Sequence, residues 1–257
     1  MSARGVVVAR GLRVLARAEV GWRALVDGVD LEARPGRTVG VVGASGAGKS
    51  TLARALVGLG GRLEGSLQID GEEVLGGGAG PLRSLRRAVQ LCWQDPARAL
   101  APRRSAAASI AEARALAGRP TLREAELGAL ADEVRLARSL LGRLPGELSG
   151  GQRQRVALVR ALAAEPAILV ADEITSALDR DLGFEVVDLL RARVERGLGL
   201  VFVTHDLALL PGLVDEVVVM AAGRVVEAGP TAQVVGAPRS AVARALRDAM
   251  PRLPSAG

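Results

Sequence analysis

One segment constrains this chain more than any other. Gly43-Ala44-Ser45-Gly46-Ala47-Gly48-Lys49-Ser50 lies between the β-branched apolar run Thr38 to Val42 and the stretch Thr51 to Val57, which has helical composition. Strand, glycine-rich turn and helix in that order make the pattern of a phosphate-binding loop. Glycine tolerates the backbone angles that turn successive N–H groups inward, and the following helix directs its positive dipole end to the same point. The spacing predicts that Gly43 to Thr51 cradle a polyphosphate, with Lys49 on the β- and γ-phosphates and Ser50 on a Mg²⁺ ion. Lys49 is the only lysine in the chain and His205 the only histidine. In a sequence that otherwise uses arginine for positive charge, both positions read as chemically chosen.

Short apolar runs recur at Ala88 to Cys92, Ala167 to Ala171 and Leu200 to Thr204, each bounded by polar or helix-like sequence. That arrangement predicts an α/β fold with a parallel sheet buried between helices. Val186, Leu189, Leu190 and Val194 fall at helical intervals, and Gly197 suits the end of that helix. From Pro96 to about Arg155 the composition turns to Ala, Leu, Arg and Glu, which favours an inserted helical lobe. Val217 to Val226 reads as a hairpin around Gly223, and Gly229-Pro230 breaks the chain before a short helical tail. The expected organisation is one domain with a core of residues 1–94 and 156–235, a helical lobe of 95–155 and a tail of 236–257. With 257 residues, 49% of them apolar, the chain can bury a core of that size.

Composition excludes several classes. Apolar runs such as Val217 to Ala222 are far below the roughly 18–20 residues that span a bilayer, and no signal-type segment opens the sequence. The expectation is a cytosolic protein unless a partner holds it at a membrane. Cys92 is the single cysteine, so it reads as a packing residue rather than as part of a disulfide or metal site. The net charge of +6 raises nucleic acid as a partner, but the arginines are interspersed with acidic residues, and two tryptophans, two phenylalanines and no tyrosine leave little to stack on bases. A solvated arginine-rich surface is the better reading, and no nucleic-acid partner is expected.

Ala167 to Ala171 runs directly into Asp172-Glu173, which places two carboxylates at the C-terminal end of a buried strand, the edge where open α/β sheets bind ligands. Asp172 suits a water-mediated or outer hold on Mg²⁺, and Glu173 suits polarising an attacking water, because phosphoryl transfer needs mainly placement and charge compensation. Alone, such a strand end is common; beside a phosphate-binding loop it reads as functional.

Leu148-Ser149-Gly150-Gly151-Gln152-Arg153-Gln154-Arg155 resembles the signature sequence of the ABC ATPases and sits upstream of Asp172 at that family's spacing. Ser149 is predicted to N-cap a helix from about Gly151 to Ala164, with the two glycines baring its N–H groups for an anion. The resemblance implies that this anion is the γ-phosphate of ATP bound to a second ATP-binding subunit, identical or paralogous, contacted by Ser149, Gly150, Gly151 and Gln152. It further implies that Gln94 senses the γ-phosphate and Mg²⁺, that Ser176-Ala177-Leu178-Asp179 crosses the dimer interface with Asp179 near the nucleotide, and that His205 hydrogen-bonds the γ-phosphate. The implied fold is a RecA-like core with a mainly parallel sheet, an antiparallel β N-terminal part and an inserted α-helical lobe.

Gln94-Asp95-Pro96, Ala99-Leu100-Ala101-Pro102, and the tail from Gly223 through Pro238 to Leu253 are similar to dipeptide, oligopeptide and nickel importer ATPases. The partners so implied are membrane permease subunits and, indirectly, a solute-binding protein, with the chain at the cytoplasmic face of the membrane. An exporter motor keeps the same chemistry, and a soluble ABC ATPase of DNA repair, ribosomes or iron-sulfur assembly is the rival of a different class. Three departures from the family pattern stand out. Ile174 replaces the usual proline after Asp-Glu and is expected to loosen a turn; the extra cysteines of some peptide-importer ATPases are lacking; and no tyrosine is available to stack on adenine, which leaves Trp22, Leu15 or Val20.

Overall fold

A computed structural model describes residues 5–176 and 180–249. The strands are β1 (Val7–Arg17), β2 (Trp22–Ala33), β3 (Thr38–Val42), β4 (Arg62–Ile69), β5 (Glu72–Glu73), β6 (Val89–Cys92), β7 (Ile168–Asp172), β8 (Gly199–Thr204), β9 (Glu216–Ala221) and β10 (Arg224–Pro230). The helices are α1 (Lys49–Ala55), α2 (Ala79–Ala88), α3 (Ala106–Leu116), α4 (Glu124–Glu133), α5 (Gly150–Ala163), α6 (Arg180–Glu195), α7 (Thr231–Gly236) and α8 (Ala241–Asp248).

Two sheets result. One runs β2-β1-β4-β5 and is antiparallel; the other runs β10-β9-β3-β8-β7-β6, parallel from β9 to β6 with β10 antiparallel at its edge. Every residue of β3, β7 and β8 is buried, as a sheet covered on both faces requires. The two-residue period of a strand divides their side chains between two cores. Val42, Leu169, Ala171, Leu200 and Phe202 join the core beneath the helical lobe, α5 and α6. Val41, Ile168, Val170, Val201 and Val203 join the core shared with β1, β2, β4 and α1. At about 1.5–3 kcal/mol for each large apolar side chain removed from water, the central strands anchor both layers at once.

The helical insertion leaves the core sheet after β6 and returns through α5 to β7. Residue 155, placed by composition at the end of the lobe, falls inside α5, which continues from the lobe into the core without a break. Composition marks where helices give way to strands; α5 belongs to both lobe and core, and its inner residues Val156, Leu158, Val159 and Leu162 pack in the core beneath the sheet. The helix of 180–195 ends as read: Gly197, at φ +102°, donates its N–H to Val194 O. The segment 62–88, with β4, β5 and α2, escaped sequence analysis because its glycines and short runs carry no clear period.

Candidate functional site

The parallel strands are aligned at their C-terminal ends. Val42 pairs with Thr204, Asp172 with Val203 and Cys92 with Ala171. The segments that follow, beginning at Gly43, His205, Glu173 and Trp93, therefore leave the sheet along one edge. β3 lies beside β8 on one side and β9 on the other, so the glycine loop emerges where the chain order changes direction, the place where such sheets form a crevice.

The loop is held by close backbone approach. Gly43 has φ +157° and Gly48 φ +101°; a Cβ at Gly43 would lie 2.3 Å from Met220 O, and one at Gly48 would lie 2.7 Å from Leu25 O. The turn between β9 and β10 buttresses it, with Gly223 N–H donating to Ala47 O at 3.0 Å. Ala44, Ser45 and Gly46 are exposed, while Ala47 is buried. No side chain caps α1, so the N–H groups of Lys49, Ser50 and Thr51 in its first turn stay available to an anion.

Lys49 is only 5% exposed. Its ammonium donates to Gly43 O at 2.9 Å and Ala44 O at 3.1 Å, and lies 3.5 Å from Glu173 Oε1. Glu173 is the hub of the cluster: Gln94 Nε2 donates to its Oε2 at 2.8 Å, and His205 Nδ1 stands 3.7 Å from its Oε1. Glu173 adopts φ +48°, uncommon for a side chain of its size, and its N–H donates to Val203 O at 3.0 Å. Ser176 closes the turn by donating both N–H and Oγ to Glu173 O, at 3.1 and 2.8 Å. Ile174, which follows the Asp-Glu pair in this turn, is 1% exposed and packs in the core.

Asp172 is 1% exposed and accepts from Ser50 Oγ at 2.8 Å. Burial raises its carboxyl above the ordinary aspartate value; the Ser50 bond opposes that rise, the neighbouring Glu173 charge adds to it, and the charges of Arg54 and Lys49 oppose it. Ser50 and Asp172 together offer two hard oxygens beside the phosphate loop, a donor set that fits Mg²⁺, which takes one or two carboxylates and completes its shell with phosphate and water. Among the described residues no cluster of three or more His, Cys, Asp or Glu could enclose a metal by itself. A cation here would be bound jointly with its anion.

Ser149 N-caps α5 as read, one residue earlier than the predicted start. Its Oγ accepts from Gln152 N at 3.3 Å and Gln152 Oε1 accepts from Ser149 N at 2.8 Å, a reciprocal capping box. Ser149 and Gly150 are exposed, and Gly151 and Gln152 are half-buried. The structure thus brings together Gly43 to Thr51, Gln94, Asp172, Glu173 and His205, whereas Ser149 and Gln152 bond to each other. Asp179, with Ala177 and Leu178, lies outside the described residues, as do Met250 to Leu253 of the tail. Of the residues considered for stacking on a base, Leu15 is buried at 7% and has no face to offer, whereas Val20 and Trp22 are exposed at 92% and 51%. Trp22 already carries the Arg62 guanidinium 5.7 Å from its ring centroid. Sequence analysis gave no role to Arg54, Trp93 or Gln154, which meet at Trp93 beside Gln94; Gln154 lies in the signature segment, and nothing in the local pattern sets Arg54 or Trp93 apart.

A family model described as "ABC transporter" matches residues 26–176, which takes in the phosphate loop, Gln94, the Ser149 segment and the Asp172-Glu173 pair. The chain belongs to the ABC transporter family. Its relatives in that family include the oligopeptide transport ATP-binding protein OppD of Mycobacterium bovis, 40% identical over 243 residues, which are 93% of this chain and 39% of that protein. The chain thus spans about two fifths of that relative. The putative peptide import ATP-binding protein BAB2_1053 of Brucella abortus and the oligopeptide transport ATP-binding protein OppF of Escherichia coli are each 41% identical over 231 residues, 88% of this chain and 69% of theirs. Among solved structures, the dimeric bacterial ABC transporter cassette MJ0796 superposes with TM-score 0.80 at 25% identity, over 88% of this chain and 98% of that one. The same cassette in a post-hydrolysis dimer with ADP and Pi gives 0.78 at 25% identity, over the same 88% and 98%. The fold is accordingly that of the ABC ATPase cassettes, with a parallel core sheet, an antiparallel β layer and a helical lobe. No helix among the described residues is long and apolar enough to cross a membrane.

Proposed function

We propose that this chain is the ATP-binding and ATP-hydrolysing subunit of an ABC transporter that imports peptides, nickel or a similar small solute. One observation carries the reading: Lys49, Gln94 and His205, distant in sequence, all converge on the Glu173 carboxylate at the edge where the phosphate loop opens. The names of the OppD, OppF and BAB2_1053 relatives support peptides as the solute class.

In this mechanism the loop N–H groups from Gly43 to Thr51 and the Lys49 ammonium bind the β- and γ-phosphates of ATP. Ser50 and Asp172, with Gln94, would hold Mg²⁺, which would supply neutralisation of phosphate charge. Glu173 accepts a proton from the water that attacks the γ-phosphorus, the bond from that phosphorus to the β–γ bridging oxygen breaks, and ADP and inorganic phosphate leave. Gln94 orients the water and Glu173, and His205 hydrogen-bonds the γ-phosphate. Ser149, Gly150, Gly151 and Gln152 of a second ATP-binding subunit close over the nucleotide, with Asp179 at that interface. The helical lobe that follows Gln94 passes closure and reopening to membrane permease subunits through differential affinity for the closed state, and a solute-binding protein delivers cargo to them. The chain would then work at the cytoplasmic face of the membrane.

The test is Glu173→Gln. MgATP binding should persist, turnover should fall by roughly 100- to 1,000-fold, and ATP should hold the subunits together on size exclusion. Undiminished turnover of that variant, assayed with its partners present, would remove Glu173 from the role of base.

A further inference from the structure

Trp93, the first residue past β6, sits at a junction of three elements. Its ring carries the Arg54 guanidinium 5.8 Å from the centroid, and Arg54 stands on α1 four residues after Ser50, one helical turn along the same face. Its carbonyl accepts from Gln154 Nε2 of α5 at 3.4 Å. The next residue is Gln94, bonded to Glu173. α1 therefore reaches the reacting edge twice, through Ser50 to Asp172 and through Arg54 to Trp93, while α5 reaches the same tryptophan through Gln154.

Both flanking side chains keep an expensive atom. Gln154 is 2% exposed, and among the described residues neither its Oε1 nor the buried Arg54 Nε has a hydrogen-bond partner. Buried polar atoms left unpaired cost stability, and an apolar side chain of the same shape would fill either place more cheaply. Meanwhile the single bond from Gln154 to Trp93 is long, hence weak and easily exchanged. Polar side chains kept at that cost beside Gln94 point to a role other than packing.

We propose that Arg54 and Gln154 are positioning residues that hold Trp93, and through it the adjoining Gln94, in the orientation that sets Gln94 against Glu173. Loss of that orientation lowers the rate of turnover and leaves nucleotide affinity alone. The inference rests on Glu173 as the base, and its test separates the two.

Turnover is measured on the full chain with its partners, and indole emission on the isolated full chain, where Trp22 and Trp93 are the two tryptophans. Arg54→Met should lower kcat about five- to tenfold with KM for MgATP constant within about twofold, and Arg54→Lys, which keeps the cation over the ring, should restore most of it. Indole emission should shift in Arg54→Met and return in Arg54→Lys. Gln154→Leu should lower kcat several-fold while its melting temperature is unchanged or higher. Wild-type kcat in both Arg54→Met and Gln154→Leu would overturn the proposal, as would KM rising in step with the loss or a lysine that fails to rescue. If Glu173→Gln is fully active, the base assignment falls and the proposal built on it falls too; if Glu173→Gln is dead while Arg54→Met and Gln154→Leu are normal, the base stands and the positioning role alone falls.

Discussion

Lys49 and Ser149 mark the two halves of the proposed nucleotide site, and they are built in opposite ways. Lys49 is buried, and its ammonium is fixed by two loop carbonyls and by a carboxylate from another strand. Ser50 likewise bonds Asp172 across 122 residues, and Gln94 bonds Glu173 across 79. Ser149 is exposed and bonds Gln152 three residues along. The first half is a product of tertiary structure; the second is a helix end that organises itself and faces outward. A site whose second half is self-organised and outward-facing can be completed by another molecule without either partner refolding.

That comparison breaks most visibly at Lys49. Lys49→Ala should weaken MgATP binding by the isolated chain, and turnover with it, by more than about 100-fold, because no other ammonium can replace one that the fold has already oriented. Equilibrium binding of a fluorescent ATP analogue measures it, and near-normal affinity would mean the loop alone carries the phosphates.

Ser149→Arg should do the converse. Turnover with partners should fall on the order of 100-fold, since a long side chain blocks the approach of a second subunit, while MgATP affinity of the isolated chain stays within about threefold. Loss of affinity in the isolated chain would show that the two halves serve one nucleotide within one molecule.

A gentler cut at the same place reads the local half alone. Ser149→Ala removes one cap acceptor and should cost about 1 kcal/mol, lowering the melting temperature by roughly 2–4 °C. Denaturant unfolding decides the matter: a cost several times larger would place Ser149 in long-range packing after all.

The smallest effect concerns protons. Asp172 has a folded pKa raised above the ordinary 3.8, chiefly by burial. A carboxyl of that kind favours the fold below its unfolded value, and the contribution is lost as pH rises through the folded value. Without ligand, Asp172→Asn should therefore be more stable than wild type at neutral pH, the advantage shrinking as pH falls to the ordinary carboxylate range. Acidification should also weaken MgATP binding by wild type at a higher pH than an ordinary aspartate would dictate. Parallel stability curves for the two proteins would refute the first expectation, and an unaltered Mg²⁺ requirement in acid the second.

Features that depend on a few adjacent residues were legible before any coordinates. The phosphate loop needs glycine where φ is positive, the capping box needs its i, i+3 pair, and the central strands needed unbroken β-branched runs because both faces are covered. α5 was found within one residue of each end, but the lobe boundary at 155 was not, because a helix spanning two layers has no compositional seam. Leu15 was misjudged because sequence names the residue, and only the fold says which face it turns inward. That Glu173 gathers Lys49, Gln94 and His205, that the turn at Gly223 props the loop, and that Arg54, Trp93 and Gln154 meet at all are consequences of strand register. Local sequence chose the parts, since backbone angles and capping act over three or four residues; tertiary structure chose their neighbours, since register across a buried sheet is set by the packing of the whole chain.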